Sequence, residues 1–325
     1  GDRLIVAEGA VESAWPVHGS VLVLDGMVWS AAGRSSYLDG GIRLSALDLE
    51  SGEPKVLKTL DARDVRGWPT TPKGGRRFAG NRIPGTLPDV LSTSGDLLYM
   101  GWTGFDLQGN LADVSKPHLF SATGFLDDSW WHRTYWQWGT WMRGGFGGWP
   151  QAARQVPAGR LLVVGEGALY GFGRSKYDVG NPEAVHAGHV GLIKDGYQQS
   201  GHVDHSQNPL RLFSATLPGE ASRATAGRGG VEYRWQAPVP ILVRAMILAD
   251  QTLLIAGPAA RTKNKGLAEL RAVRPGMLMT VSATNGSMLA ESELQAAPVL
   301  DGMAAIPGRV LVSCTDGSVC CFTEK

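Results

Sequence analysis

Short apolar runs separated by turn residues recur along this chain of 325 residues. Val21–Leu24 runs into Asp25-Gly26, and Met27–Ala32 follows directly. This order is the strongest local signal for a β-hairpin, because Asp and Gly tolerate the positive φ angles that a type I′ turn needs. Two further strands and the turn between them are predicted at Ile42–Leu49, Val56–Leu60 and Ser51-Gly52. Four short strands within about 40 residues make one blade of a β-propeller.

The same pattern returns four more times, in residues 90–102, 151–172, 239–294 and 298–322. The sequence therefore predicts an all-β fold, a β-propeller of four-stranded blades, with about five recognisable blades in a single domain of residues 1–325. The last blade has three strands, and Leu4–Val6 is predicted to supply the fourth, because closure removes an exposed sheet edge. Long inter-blade loops, where binding sites are often built, are predicted at 61–87, 125–150, 176–209, 218–234 and 257–275.

The charge balance argues against nucleic acid as a partner. The chain carries 31 Lys and Arg against 30 Asp and Glu, a formal net charge of +1, so it has no global field to attract a polyanion. Lys73–Arg82 is a local basic run that we interpret as a solvated loop. No run of about 18 apolar residues occurs, so no transmembrane helix is predicted. Arg34 and Asp39 flank the turn at Gly33 and are predicted to form an ion pair that stabilises it.

One segment resembles a motif of a known propeller class. Ala46–Glu53 reads Ala-Leu-Asp-Leu-Glu-Ser-Gly-Glu and resembles the docking motif of pyrroloquinoline-quinone (PQQ)-type propellers, Ala-x-Asp-x-x-Thr-Gly-x-x-x-Trp. In that family the motif closes the turn between the outer strands, and its Trp packs on the neighbouring blade. In this chain Ser51 replaces the Thr, and Val56 stands where the Trp would be. A second, weaker copy keeps the Asn285-Gly286 turn and has Ser282 at the Asp position.

Longer segments resemble bacterial PQQ-binding-like β-propeller repeat proteins of planctomycete type. The segments are His18–Val23, Ala32–Ile42, Gly124–Arg133 and Val299–Ala305. The resemblance implies the propeller fold and export to the periplasm or cell envelope. It also implies further blades of the same polypeptide upstream, so that these residues would form the C-terminal part of a larger propeller. It implies no particular activity.

An aromatic segment is the candidate ligand-binding site. Aromatic faces supply contact area, and neighbouring carboxylates and Arg fix the orientation of a sugar or another flat ligand. The candidate residues are Asp127, Asp128, Trp130, Trp131, His132, Arg133 and Tyr135, and Trp136, Trp138 and Trp141 extend the segment. The alternative is an aromatic plug that packs on one propeller face.

Four histidines form the candidate metal site. They make two His-x-x-His pairs separated by twelve residues, at His186, His189, His202 and His205. Imidazole suits zinc, copper, nickel or iron, and two pairs on one loop could close a four-ligand site. The alternative is a set of solvent-exposed histidines on a Gly-rich polar loop.

Quinoprotein chemistry is a further alternative. PQQ dehydrogenases hold PQQ with calcium over the central channel, often beside a ring of two adjacent linked cysteines. Cys320-Cys321 follows the Asp316-Gly317 turn and lies mid-strand, where side chains alternate between faces, whereas a vicinal disulfide needs a distorted turn. We therefore expect free thiols here, with one cysteine facing the core.

Together these features predict a non-catalytic binding or interaction scaffold of the bacterial cell envelope. It would contact a protein or a saccharide-like ligand through the Trp-rich propeller face, with no cofactor expected. The alternative is an enzyme, either a PQQ-type oxidoreductase with calcium or a metal-dependent enzyme that uses the His-rich loop. The fold alone does not choose between them, because propellers host many functions.

Overall fold

The computed structural model describes residues 3–7, 9–17, 21–61, 90–101, 103–112, 114, 116–121, 135–139, 152–154, 156–174, 210–217, 230–260 and 275–323. These residues form 24 β-strands and no helix. No described segment is therefore an apolar helix of membrane-spanning length. The chain divides into two compact units, Gly1–Gly148 and Trp149–Lys325. A single domain over the whole chain stays a prediction.

The first unit contains a hairpin, two four-stranded sheets and a further strand pair. Its strands are β1 (Leu4–Ala7), β2 (Ala10–Ser13), β3 (Leu22–Leu24), β4 (Met27–Ala32), β5 (Ile42–Asp48), β6 (Pro54–Leu60), β7 (Leu91–Ser94), β8 (Leu97–Met100), β9 (Thr103–Phe105), β10 (Leu111–Ala112), β11 (His118–Ser121) and β12 (Trp136–Gly139). Strands β3 to β6 and β7 to β10 form antiparallel sheets in sequential order. Strand β1 pairs with β2, and β11 pairs with β12.

The second unit repeats the four-stranded pattern. Its strands are β13 (Ala158–Gly159), β14 (Leu161–Gly165), β15 (Ala168–Arg174), β16 (Leu210–Thr216), β17 (Tyr233–Ala237), β18 (Ala245–Ala249), β19 (Thr252–Pro258), β20 (Gly276–Ser282), β21 (Met288–Leu294), β22 (Pro298–Ile306), β23 (Arg309–Cys314) and β24 (Val319–Thr323). Strands β14 to β17 and β18 to β21 form four-stranded antiparallel sheets, and β22 to β24 form a three-stranded one. The first strands of these successive sheets contact one another, as neighbouring propeller blades do. The predicted fold class, all-β with four-stranded propeller blades, is confirmed.

The tight turns follow the predicted chemistry. Asp25 and Gly26 have φ angles of 50° and 71°, the left-handed values that a type I′ hairpin requires. In the docking-type turn, Asp48 Oδ1 accepts hydrogen bonds from the backbone N–H and the hydroxyl of Ser51, both at 2.8 Å. The backbone bond from Ser51 is the main cause that lowers the pKa of Asp48. Short polar side chains thus form the hydrogen bonds that close the turns.

Each unit has its own apolar core. In the first unit the side chains of Trp29, Ile42 and Leu44 pack with Leu98 and Phe105. In β4 and β5 the buried residues Trp29, Ile42 and Leu44 alternate with partly exposed neighbours, as expected for strands that bury one face. In the second unit the core clusters contain Phe172, Leu212, Val243, Leu253, Ile255, Met279, Ala256 and Val312.

In each unit, a side chain on the fourth strand of one sheet packs against a turn of the next sheet along the chain. Trp235, in β17, donates its Nε1–H to the carbonyl oxygen of Ala283 at 2.8 Å, and its ring covers Gly286. Val56, in β6, lies against Gly109 in the turn between β9 and β10. This is the contact that the motif resemblance assigns to a Trp. Val56 thus occupies the position of that Trp and makes the contact with a smaller side chain.

Several sequence expectations need correction. Strand β1 pairs with β2 in register Leu4 to Ser13, and completion of the last sheet by Leu4–Val6 stays a prediction. Strand β12 lies inside the stretch predicted as loop 125–150. Strand β18 begins at Ala245 rather than at Val239. In each case tertiary pairing, which the local pattern does not contain, decided where the strand lies.

Candidate functional site

Most of the predicted site residues lie outside the described part of the chain. Among the aromatic-segment candidates these are Asp127, Asp128, Trp130, Trp131, His132 and Arg133, and the four candidate metal ligands His186, His189, His202 and His205 are also outside it. Tyr135 is described, directly before β12, and is only 2% exposed. Trp136 and Trp138, in β12, are buried as well. Tyr135, Trp136 and Trp138 thus pack into the protein. Trp141 also lies outside the described residues, and ligand binding by the segment stays a prediction.

The described residues contain no group of three or more His, Cys, Asp and Glu side chains that could hold a metal ion. All three cysteines are free thiols. Cys314 is buried, Cys320 is half-buried against the core cluster of the last sheets, and Cys321 is exposed. The expectation that one cysteine of the adjacent pair faces the core is confirmed.

His118 is a buried polar group at the start of β11. Its ring stacks on Tyr99 at 3.8 Å between centroids, and Phe120 lies 5.5 Å away. The ring nitrogens Nδ1 and Nε2 lie 3.3 Å from the carbonyl oxygen of Lys116 and 3.4 Å from that of Gly101. Burial lowers the pKa of His118 more than the two carbonyl groups raise it. The imidazole is therefore held neutral, and we assign it a packing role.

The burial of His118 predicts that the folded protein becomes less stable at acid pH. Because the pKa of His118 is lower in the folded than in the unfolded chain, the unfolded chain binds more protons once the pH falls through about 6.5, the usual His value. The urea midpoint of unfolding should therefore fall between about pH 7.5 and pH 5. The variant His118→Phe keeps a stacking ring without a titrating group, and its midpoint should change less over that range. Parallel pH profiles of the two proteins would exclude the assignment.

The face of the β1–β2 hairpin is the candidate contact surface. Leu4 and Val6 point to one side of β1, and Val11 joins them because it pairs with Val6 across the hairpin. These three aliphatic side chains are 65%, 75% and 68% exposed. On the opposite face Ile5 pairs with Glu12, and both are half-buried. The hairpin therefore presents a small apolar face, and residues 4–7 and 9–13, the described part of the hairpin, place no charged side chain on it.

The hairpin is tied to the first four-stranded sheet by charged and polar contacts. Asp39 accepts hydrogen bonds from Arg34, at 2.5 Å from Nη2 and 3.1 Å from Nε, and pairs with Arg3 at 3.3 Å. The predicted Arg34–Asp39 ion pair is thus confirmed, and Arg3 extends it to the residue that precedes β1. The backbone N–H of Ala14 donates to the carbonyl oxygen of Arg3 at 3.0 Å.

A second tie follows the hairpin along the chain. The Arg43 guanidinium, in β5, lies 3.4 Å from the centre of the Trp15 ring, a cation–π contact. Val17 forms a bridge to Ala32, and Gly33 N–H donates to the carbonyl oxygen of Pro16 at 2.9 Å. These contacts hold the hairpin, and with it the apolar face, against the first four-stranded sheet.

Asp39→Asn tests this anchoring. Asn keeps the shape and tolerates the left-handed φ of 55°, but it removes the charge that Arg3 and Arg34 share. We expect amide hydrogen exchange in residues 4–13 to speed up about tenfold, or about 1.4 kcal/mol. The matched control is Asp250→Asn, at an exposed residue with a φ of 50°, and it should leave exchange in the hairpin unchanged. Equal exchange in both variants would show that Asp39 does not hold the hairpin.

Comparison with known proteins identifies distant similarity of structure only. No family model matches the chain, and no curated protein matches it. One similar solved structure is BamB from Moraxella catarrhalis, which is 12% identical, with a TM-score of 0.38 over 95% of this chain and 85% of BamB. Another is the computationally designed Ika4 protein, which is 8% identical, with a TM-score of 0.23 over 100% of this chain and 99% of Ika4.

The sequence contains a signal for the hairpin face, but the same residues also fit the missing fourth strand of the last blade. Leu4, Val6 and Val11 follow the alternation of a half-buried strand, and the last blade needed a fourth strand. Alternation shows which residues share a face, but it does not show whether that face is covered. The exposure of this face could therefore be found only in the structure.

Proposed function

We propose that this protein is a non-catalytic interaction scaffold of the bacterial cell envelope that binds a protein partner through the apolar face of the β1–β2 hairpin. The location is supported by the sequence resemblance to exported propeller proteins. The choice of a protein partner is supported by the chemistry of that face. Its exposed side chains are aliphatic, whereas saccharides are bound by aromatic rings and polar groups.

The observation that carries this proposal is the shared exposure of Leu4, Val6 and Val11 on one face. Scattered exposed aliphatic residues are ordinary, but a contiguous apolar group marks a contact surface, because water at such a group is released on binding. The hairpin is also anchored by Asp39 and Trp15, so little conformational entropy is lost when a partner binds.

The Trp-rich segment is proposed as a second contact. Trp131→Ala should weaken partner binding if the segment forms part of the interface, because Trp is the side chain whose truncation most often removes binding energy. Binding unchanged by Trp131→Ala would confine the interface to the hairpin and remove the segment from the proposal.

Site-specific photo-crosslinking tests the hairpin contact. A photoreactive residue at position 6, in place of Val6, should give a discrete protein adduct in envelope extracts of the source organism, and Leu4→Asp should abolish it. The matched control is position 57, because Leu57 is 70% exposed but lies between Lys55 and Lys58 on β6. Equal adducts at both positions, or none at position 6, would contradict the proposed contact surface.

A further inference from the structure

Two of the three cysteines lie side by side on one face of the last sheet. Strand β24 pairs with β23 in register Val312 to Cys320, and the backbone N–H of Cys314 donates to the carbonyl oxygen of Ser318 at 2.9 Å. Cys314 and Cys320 are therefore diagonal neighbours on adjacent strands, with their side chains on the same face. Cys314 belongs to the apolar cluster of the last two sheets, and Cys320 packs against that cluster.

The two thiols also interact with each other. Burial is the main cause that raises the pKa of the Cys314 thiol, and Cys320 raises this pKa further through its charge and a hydrogen bond. Cys314 Sγ donates to the carbonyl oxygen of Val312 at 3.8 Å. The strand register and the interaction between the thiols thus make the two sulfur atoms near neighbours, and both residues are free cysteines.

A disulfide between Cys314 and Cys320 needs only a small shift of the backbone. Diagonal neighbours are about 7 Å apart between Cα atoms, and a disulfide usually spans up to about 6.8 Å. The pair lies beside the turn at 315–318, whose residues are exposed, so few packing contacts oppose the shift. Cys321 is exposed and points to the opposite face of β24, because side chains alternate along a strand. Cys321 is therefore not the partner of Cys314.

We propose that Cys314 and Cys320 form a reversible disulfide that cross-links β23 to β24. The oxidant is a disulfide of a small molecule or of another protein. The thiolate of the half-buried Cys320 attacks this disulfide and releases one thiol, which leaves a mixed disulfide at Cys320. The Cys314 thiolate then attacks the Cys320 sulfur and releases the second thiol. Two protein thiols are thereby oxidised, one external disulfide is reduced, and both protons pass to the two released thiols.

The proposal does not depend on the contact surface of the β1–β2 hairpin. The proposed envelope location would supply suitable oxidants, because disulfides form and persist in oxidising compartments. Oxidation would join the two strands that flank the Asp316-Gly317 turn. The last sheet would then be more resistant to opening in the oxidised than in the reduced protein.

Oxidation of the folded full chain in a glutathione redox buffer tests the proposal. The background variant is Cys321→Ser, which removes the exposed thiol and keeps both proposed partners. A protease that cleaves before Asp316 separates the two cysteines, so only a disulfide holds the two fragments together. We expect the loss of two hydrogen atoms from the intact mass, linked fragments, and reversal by dithiothreitol. Adding Cys314→Ser or Cys320→Ser should abolish the link.

The folded chain should favour this disulfide more than the unfolded chain does, because the strands hold the two sulfur atoms together. Half oxidation should need at least about tenfold less oxidised glutathione, at fixed reduced glutathione, in the folded chain than in urea. By linkage, oxidation should slow amide exchange in residues 309–323 by about the same factor.

Three outcomes would overturn the proposal. One is a stable glutathione adduct on Cys320 without linked fragments. Another is half oxidation at the same glutathione ratio in the folded chain and in urea. The third is found in the chain that retains Cys321: loss of two hydrogen atoms with fragments that separate would assign the oxidation to Cys320 and Cys321 instead.

Discussion

Gly257→Ala is expected to destabilise the second unit by about 3 kcal/mol or more. A Cβ at Gly257, in β19, would lie 2.0 Å from the carbonyl oxygen and 2.6 Å from the carbonyl carbon of Leu242. Both are backbone atoms, so no side-chain rotation relieves the overlap. The backbone of β19 or of the segment before β18 must move, and that movement disturbs the buried residues Val243 and Ile255.

Urea unfolding followed by circular dichroism measures this effect, with Gly230→Ala as the matched control. At Gly230 the atom nearest to an added Cβ is the carbonyl oxygen of Arg154, at 3.5 Å, an ordinary contact. The control should change the free energy of unfolding by less than about 0.5 kcal/mol. Equal midpoints for the two variants would show that Gly257 is not packed as described.

Trp235→Ala is expected to cost about 3 kcal/mol, since it removes a large ring and the hydrogen bond from Nε1 to Ala283. The ring joins β17 to the turn after β20 in the next sheet, where it covers Gly286. The ring of Tyr170 lies 6.2 Å from the Trp235 ring between centroids, at an angle of 45°. Amide exchange in residues 276–294 should therefore increase together with that of β17.

The variant Trp235→Phe separates the two parts of this contact. Phe keeps most of the apolar ring and loses only the donor, so we expect a loss of about 1 kcal/mol in the free energy of unfolding. The measurement is the difference between the two variants in urea. If Trp235→Ala were no more destabilising than Trp235→Phe, ring packing against Gly286 would contribute nothing, and the lock between the sheets would be refuted.

Most of the fold prediction rests on the residues that form tight turns. The pair Asp25-Gly26 and the Asp48 turn are local devices, since the residues that need positive φ or close the turn lie within four positions of one another. Strand pairing between such neighbours follows from the turn. The sheets β3 to β6 and β18 to β21 were therefore predictable in outline.

Contacts between distant residues were not predictable from local pattern. The motif resemblance places the contact with the neighbouring blade at Val56. A Trp makes this kind of contact elsewhere, at Trp235. Its hydrogen-bond partner in the turn, Ala283, is 48 residues away in the sequence. The sequence pattern predicts a loop where β12 lies, because Trp136 and Trp138 also fit a surface aromatic segment. Burial decides between these readings, and burial depends on what the rest of the chain brings alongside.

Metal analysis of protein purified without chelators tests the central claim, that this propeller is a cofactor-free binding scaffold rather than an enzyme. We expect only traces of zinc, copper, nickel, iron and calcium. About one equivalent of a transition metal, lost in the double variant His186→Ala with His202→Ala, would contradict it and make the His-rich loop the functional centre.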